Sequence, residues 1–325
     1  MAIPQRLANI AAALALCLGS ASIAPAQDFP SRPIRVVIAF PPGGPTDFVG
    51  RLLADKMKAL IGQSVIIENK AGANGAIGAD YVAKAEPDGH TLFLTTTGAV
   101  AITPNMRSDL PYDPLRDFAP VTLVVRNTTI GVVRADLPID SARELAAMAK
   151  QKPGEIPFGS TGVGSMPHLA LELYQAAGQV KFLHVPYRGA APALTDLLGG
   201  QIAALFADAP ALLSQIQSGK LKAIGAASNQ RTEVLPNVPT LLEQGFPDTH
   251  ADNWYGLLAP ARTPTPVLKK LHGAVIAALN DPGIRRKLVE SGAVPAPTSP
   301  EEFGRLLAAE FVRWGRVVRD KNIKE

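Results

Sequence analysis

Two glycine-rich stretches carry the clearest chemical possibility in this chain. Ile34-Arg35-Val36-Val37-Ile38-Ala39-Phe40-Pro41-Pro42-Gly43-Gly44-Pro45-Thr46-Asp47 runs a β-branched strand into a loop that opens an amphipathic helix. Ile156-Pro157-Phe158-Gly159-Ser160-Thr161-Gly162-Val163-Gly164-Ser165-Met166-Pro167-His168 repeats the arrangement far downstream. Such a loop presents unpaired backbone N–H groups at a helix N-terminus, where they can hold an anion. Neither stretch has the Gly-Lys-Ser/Thr ending of a nucleotide P-loop, and neither spells G-x-G-x-x-G in full. The chemistry expected is therefore capture of a small carboxylate between two loops. Each charge-assisted bond would contribute roughly 1.5–3 kcal/mol, with about 0.3–1 kcal/mol more from a helix terminus. Alone, either loop reads equally as a tight turn whose glycines only supply unusual backbone angles; the second loop of the same kind favours a ligand.

Nucleophilic and metal chemistry find less support. Ser160 and Ser165 sit in a glycine-rich strand-to-helix turn, but a nucleophile elbow demands G-x-S-x-G, which Gly162-Val163-Gly164-Ser165-Met166-Pro167 does not supply. His168 follows Ser165 by three positions on one helical turn, a spacing suited to a local hydrogen bond rather than a triad. His90, His168, His184, His250 and His272 show no H-E-x-x-H or other close ligand pairing, so no metal is expected. No cofactor is expected either. Three strand ends remain open to two readings. Tyr187 or Arg188 could reach a cleft or belong to an ordinary turn. Asp208 could face a ligand or cap a helix. Trp254 and Tyr255 could stack on a ligand or fill the space between lobes.

The elements that would position these residues alternate strand and helix almost throughout, which predicts parallel sheet with helices on both faces. A helix capped by Thr46 or Asp47 has apolar positions at Val49, Leu52, Leu53, Met57, Leu60 and Ile61 and ends at Gly62. Val65–Ile67 and Thr91–Thr95 are further strands, separated by a helix that the turn Pro87-Asp88-Gly89 stops. Val121–Val125 and Ile130–Val133 leave this unit. A second series follows, with helices from Ser141, from Met166, near Ala193–Leu198 and at Leu212–Gln217. Its strands lie at Ile156, Phe182–Val185, Ile202–Phe206 and Leu221–Ala226. Asn253–Leu258 is extended, and helices at Pro266–Leu279, Pro282–Glu290 and Pro300–Arg319 begin at prolines. Pro295–Pro300 is a stiff connector. In doubly wound sheets ligands sit at the carboxyl ends of strands, where both glycine loops would lie. Crossings near Val125 and Trp254 divide the chain into one lobe of residues 27–125 and 250–325 and a second of residues 126–249, with the terminal helices packed on the first.

Composition fits this reading. The chain is 47% hydrophobic and 18% charged, with no basic run or aromatic-interleaved stripe, which argues against nucleic acid. Residues 1–26 read as an export signal: Arg6, an apolar run from Ile10 to Leu18, and Ala24-Pro25-Ala26. The run is shorter than the ~20 residues needed to span a bilayer. Cys17, the only cysteine, lies inside it, next to a Leu16 bulkier than lipoprotein cleavage favours. The mature protein is thus expected to be soluble outside the cytoplasm and free of disulfides and thiolate metal sites, held by its core alone, as about 300 residues allow.

The motifs in their order resemble one family. Pro30-Ser31-Arg32-Pro33-Ile34, Phe40–Asp47, Glu68-Asn69-Lys70-Ala71-Gly72-Ala73-Asn74-Gly75, Pro87-Asp88-Gly89-His90-Thr91-Leu92, Gly159–Ser165, Val185-Pro186-Tyr187-Arg188-Gly189 and Asp196-Leu197-Leu198-Gly199-Gly200-Gln201 look like those of the Bug-type extracytoplasmic solute receptors, the TctC family. These are the binding proteins of tripartite tricarboxylate transporters. The resemblance implies an α/β, type II periplasmic-binding-protein fold, two doubly wound lobes joined by two crossover segments around a ligand cleft. It implies a carboxylate held largely by backbone groups and waters at Phe40, Pro42, Gly43, Gly44, Thr46 and Asp47 and at Ser160, Thr161, Gly162, Gly164, Ser165 and His168. Further contacts would fall near Thr97, Tyr187, Asp208 and Trp254. Arg188 stands where lysine is common, and its fork could take a second carboxylate. The implied function is that of a non-enzymatic, monomeric receptor. It would deliver a di- or tricarboxylate, amino acid or aromatic acid to membrane permease subunits. A sensor presenting ligand to a signalling kinase would use the same fold.

Overall fold

The structure, a computed structural model, describes residues 29–323; the expected export signal, with Cys17, lies outside them. Among the described residues no helix is long and apolar enough to cross a membrane.

The chain forms two sheets. The first has six strands: β1 (Ile34–Ile38), β2 (Val65–Asn69), β3 (Thr91–Thr96), β4 (Phe118–Asn127), β10 (Asn253–Pro260) and β11 (Ala293–Pro295), in the order β11-β4-β10-β3-β1-β2. The second has β5 (Thr129–Arg134), β6 (Pro157–Ser160), β7 (Leu183–Pro186), β8 (Ala204–Asp208) and β9 (Leu221–Ala226), in the order β7-β6-β8-β5-β9. The chain leaves the first sheet at Asn127, enters the second at Thr129, and returns at Asn253.

Alternation predicts wholly parallel sheets, and here the structure differs: both are mixed. β1, β2 and β3 are parallel, but β10 runs antiparallel between β3 and β4. In the second sheet β5 runs antiparallel between β8 and β9. The cause lies in the crossings. A parallel neighbour requires a helix to carry the chain back to the starting end of the sheet. β5 and β10 instead enter from the other lobe, at the end where the parallel strands finish, and so must run the opposite way.

Helices cover the sheets: α1 (Pro45–Ile61), α2 (Ala76–Ala83), α3 (Thr103–Met106), α4 (Ala142–Gln151), α5 (Met166–Gly178), α6 (Ala190–Leu198), α7 (Ala209–Gln217), α8 (Thr265–Asn280), α9 (Pro282–Ser291) and α10 (Pro300–Asp320). A π-helical turn at Gly98–Ile102, invisible to sequence periodicity, links β3 to α3. The last helix does not pack on the first lobe alone. Phe303 and Leu307 sit in the core of the first sheet beside Trp254. Trp314, Val318 and Ile323 sit in the core of the second, with Leu169 and Leu173 of α5. Ser299 caps this helix in a full capping box with Glu302, which fixes its start against the first lobe.

Candidate functional site

The carboxyl ends of β1, β3, β6 and β8 and the start of β10 converge between the sheets. There they wall a narrow cleft. From the first lobe come Phe40, Pro41, Pro42, Gly44, Pro45, Thr46, Asn74, Thr96, Asn253 and Tyr255; from the second come Thr161, Ser165, Met166, Pro167, Arg188, Gly189, Ala190, Ala191, Pro192 and Asp208. A larger cavity on the far side of Phe40 and Pro41 shares Thr161 and Arg188 and adds Gly162 and Tyr187. Gly43 lines a third, beside Phe48 and Ala190.

Helix N-termini dominate this wall. α1 starts at Gly44 and α6 at Gly189, and neither has a side-chain cap. The first-turn N–H groups of both helices are therefore left for solvent or a ligand. Pro45, Pro167 and Pro192 occupy first-turn positions, where a missing N–H costs nothing.

Asp47, expected as the cap of α1 or as a ligand contact, is not the N-cap, which is Gly44, and does not line the cleft. It lies at the third helical position, 3% exposed, and turns back on its own loop. Its Oδ2 accepts the Gly43 N–H at 3.0 Å and Arg51 Nε at 2.8 Å, and its Oδ1 accepts Asn69 Nδ2 at 3.0 Å. Asn69 Nδ2 also donates to the Phe40 carbonyl at 2.9 Å. Burial opposes ionisation, but the bonds from Arg51, Gly43 and Asn69 win and hold the carboxyl below its ordinary value. Asp47→Ala would leave buried donors without an acceptor, at about 1–3 kcal/mol. The expected result is a melting temperature lower by several degrees and weakened ligand binding, read by calorimetry. With a folded-state pKa below the unfolded one, the brace is intact above the ordinary carboxylate value of 3.8 and is lost as pH falls through the native pKa.

The second loop likewise meets several of its own needs. Gly162 N–H donates to Ser160 Oγ at 3.3 Å, Ser165 N–H to the Gly162 carbonyl at 3.1 Å, and Gly164 N–H to His168 Nδ1 at 3.2 Å. Ser165 caps α5 by accepting the His168 N–H, and its hydroxyl donates to the Gly162 carbonyl at 2.7 Å. His168 Nδ1 is thus an acceptor, which places the proton of the neutral ring on Nε2, 3.6 Å from Glu172 Oε1. Behind it His184 stacks ring on ring at 4.3 Å and 7°, and His184 Nε2 lies 2.7 Å from Ser160 Oγ. Burial, reinforced by His168, pushes His184 down to about 4. Ser160 has no solvent exposure, so this serine–histidine pair supports the loop from behind the cleft wall.

The remaining expected residues divide. Thr161, Arg188 and Asp208 line the cleft. Tyr187 donates to Asp196 Oδ2 at 2.8 Å; burial and then that bond push its phenol up to about 12. Arg188 is exposed and makes no hydrogen bond or ion pair among the described residues. Asp208 occupies the N-cap position of α7 without capping it. Its Oδ2 instead accepts Tyr255 Oη at 2.6 Å and Asn253 Nδ2 at 2.9 Å. Thr97 and Trp254 are buried away from the cleft; Trp254 packs edge-on against Phe303 at 5.4 Å. Their neighbours Thr96 and Tyr255 line it instead: along β10 successive residues face opposite sides, and at Thr97 the chain has already left β3 for helical geometry. The polar pair Asn253 and Tyr255 flanking an apolar Trp254 was the available signal. Asn74 was quoted in a motif but not as a contact. It adopts φ 45° and bonds Thr103 Oγ1 at 3.0 Å.

The lobes touch on both rims. A Cβ on Gly164 would stand 3.0 Å from Thr103 Oγ1, 3.2 Å from Asn74 Nδ2 and 3.3 Å from Met106 Sδ, and one on Gly189 would stand 3.6 Å from the Pro41 ring.

A family model described as tripartite tricarboxylate transporter family receptor matches residues 49–323. The chain is similar to Protein BugT of Bordetella pertussis, 35% identical over 324 residues, covering 98% of this chain and 99% of that one. Among solved structures it is similar to R. palustris Rpa4515 with adipate, 34% identical at a TM-score of 0.88, covering 91% of this chain and 99% of that one. It is also similar to MatC (Rpa3494) from Rhodopseudomonas palustris with bound malate, 34% identical at a TM-score of 0.85, covering 89% and 100%. With its two mixed sheets, interlobe cleft and ordered motifs, the chain belongs to the tripartite tricarboxylate transporter receptor family.

Proposed function

We propose that the protein is a non-enzymatic, monomeric periplasmic receptor that captures a small organic carboxylate and hands it to the permease subunits of a tripartite transporter. The observation that carries this reading is the convergence of the uncapped N-termini of α1 and α6 on one cleft. Unmet N–H groups and aligned helix dipoles there call for an anion. Rpa4515 with adipate and MatC with malate support a dicarboxylate, and unpaired Arg188 supplies the second anchor. Ser165 is occupied in capping, which leaves the cleft to bind its guest without covalent chemistry.

A thermal-shift screen of di- and tricarboxylates, amino acids and aromatic acids tests the reading. A ligand at about 100 times its Kd stabilises the folded form by ~2.7 kcal/mol, several degrees for a chain of this size. Scattering should show the radius of gyration shrinking on saturation, and the acid should be recovered unchanged. If sugars or cations shift the transition while no acid does, the carboxylate reading fails. Arg188→Ala is expected to weaken dicarboxylates by about tenfold or more, the worth of one charge-assisted bond, and to leave monocarboxylates nearly unaffected.

A further inference from the structure

Asp208 is unusual among the acids of this chain. It is 8% exposed, lines the cleft, and has no cationic partner within the described residues. Both donors on its Oδ2, Tyr255 and Asn253, are neutral and come from β10 of the other lobe. Its Oδ1 is shut off from solvent and takes no hydrogen bond. Thr129, its partner across the β5–β8 register, also buries a hydroxyl oxygen without a partner. Thr129 can turn its hydroxyl hydrogen to an ionised Oδ1, but no cation among the described residues is there to offset a second negative charge beside an incoming anion, whereas a protonated Asp208 adds none.

Resting on the carboxylate reading above, we infer that this receptor binds its anionic ligand together with one proton, and that the proton is carried on Asp208. The proton comes from solvent as the lobes close and returns to it when the ligand leaves. Burial already pushes the free carboxyl up to about 6 against the pull of Tyr255 and Asn253. A bound anion nearby raises it further, since like charges disfavour the ionised form. The sign follows: affinity is greatest below the free pKa and falls as pH rises towards the pKa of the complex, by up to about tenfold per pH unit for one proton.

The surrounding groups do not mimic this. Asp252, next to β10, pairs with His250 at 3.0 Å. Asp196 of α6 holds Tyr187. His184, pushed down to about 4, stays neutral in the relevant range. Tyr255 is raised well above its ordinary value. Arg188 keeps its charge. His168, behind the second loop, and His250, paired with that Asp252, are the remaining groups, and the variant below separates both.

The test is calorimetric titration with adipate and malate from about pH 6 to about 8, repeated in buffers of different ionisation enthalpy to count protons taken up. The expected result is uptake approaching one proton and an affinity that falls across the range. Asp208→Asn should hold the affinity nearly level, because Asn presents an oxygen to Tyr255 and Asn253 and an N–H where the proton would sit. Tyr255→Phe removes a bond that favours ionisation and should move the midpoint to higher pH. Binding of either acid without proton uptake, or with affinity rising with pH, overturns the inference and leaves the carboxylate reading intact. A slope surviving in Asp208→Asn places the proton on another group and also overturns it. Failure of both acids and of the wider panel to bind overturns the carboxylate reading and this inference together.

Discussion

Gly164→Val is expected to raise the Kd for the cognate carboxylate by roughly one to two orders of magnitude, at ~1–3 kcal/mol, while the far-ultraviolet spectrum stays near native. Two effects arise, the first on stability and the second on affinity. Gly164 has φ +74°, a region closed to β-branched side chains and costing about 1–3 kcal/mol when forced. Its Cβ would also stand 3.0 Å from Thr103 Oγ1 and 3.3 Å from Met106 Sδ on the opposing lobe, an overpacking of about 1–3 kcal/mol. The contact exists only when the lobes are together, so the substitution acts on closure. Gly44 forms the contrast: at φ −82° and ψ 171° it is ordinary extended backbone, and the nearest atom to a new Cβ is the Pro41 carbonyl oxygen at 3.6 Å. Gly44→Ala should therefore fold normally and report only how closely the ligand approaches α1. Wild-type affinity in Gly164→Val, measured by calorimetry, would show that binding does not need this rim to shut.

Trp314→Ala should be the most damaging change for stability among those considered. The side chain is fully buried in the second lobe's core with Ala101 and Ile102 of the π-helical turn, and its indole N–H donates to Glu310 Oε2 at 2.8 Å. Removing a large buried aromatic costs about 3–5 kcal/mol, which lowers Tm by on the order of 10 °C. Because α10 is shared between the cores, unfolding should remain one transition in the native chain and broaden or split in the variant. A single sharp transition at the native temperature would mean that the second half of α10 contributes little.

Periodicity and glycine punctuation made most helices and central strands legible, since those signals are local. β5 and β10 were legible as extended segments but not in direction, because direction depends on which lobe the chain arrives from. The π-helical turn after Thr96 lacks any apolar period and stayed hidden. Within the candidate site, the two glycine loops that reach the cleft could be named from loop chemistry, and two of the expected side chains lie outside its lining. Thr97 and Trp254 lie outside the lining that Thr96 and Tyr255 form: the parity of the buried strand β10 is not announced by its sequence, nor is the end of β3 at Thr96. Asn69 could not be found from its motif alone, because its role is to hold the Phe40 carbonyl from a neighbouring strand.

The brace of Asp47, Arg51 and Asn69 behind the first loop separates two kinds of heredity. Its bonds fix the shape of the anion anchor from positions outside the cleft lining. Residues such as Arg188, on another loop and free of that network, can therefore change without disturbing the anchor's geometry. Descendants of one ancestral receptor could shift from one acid to another by substitutions at the far wall, each tolerated because the costly part of recognition is already built.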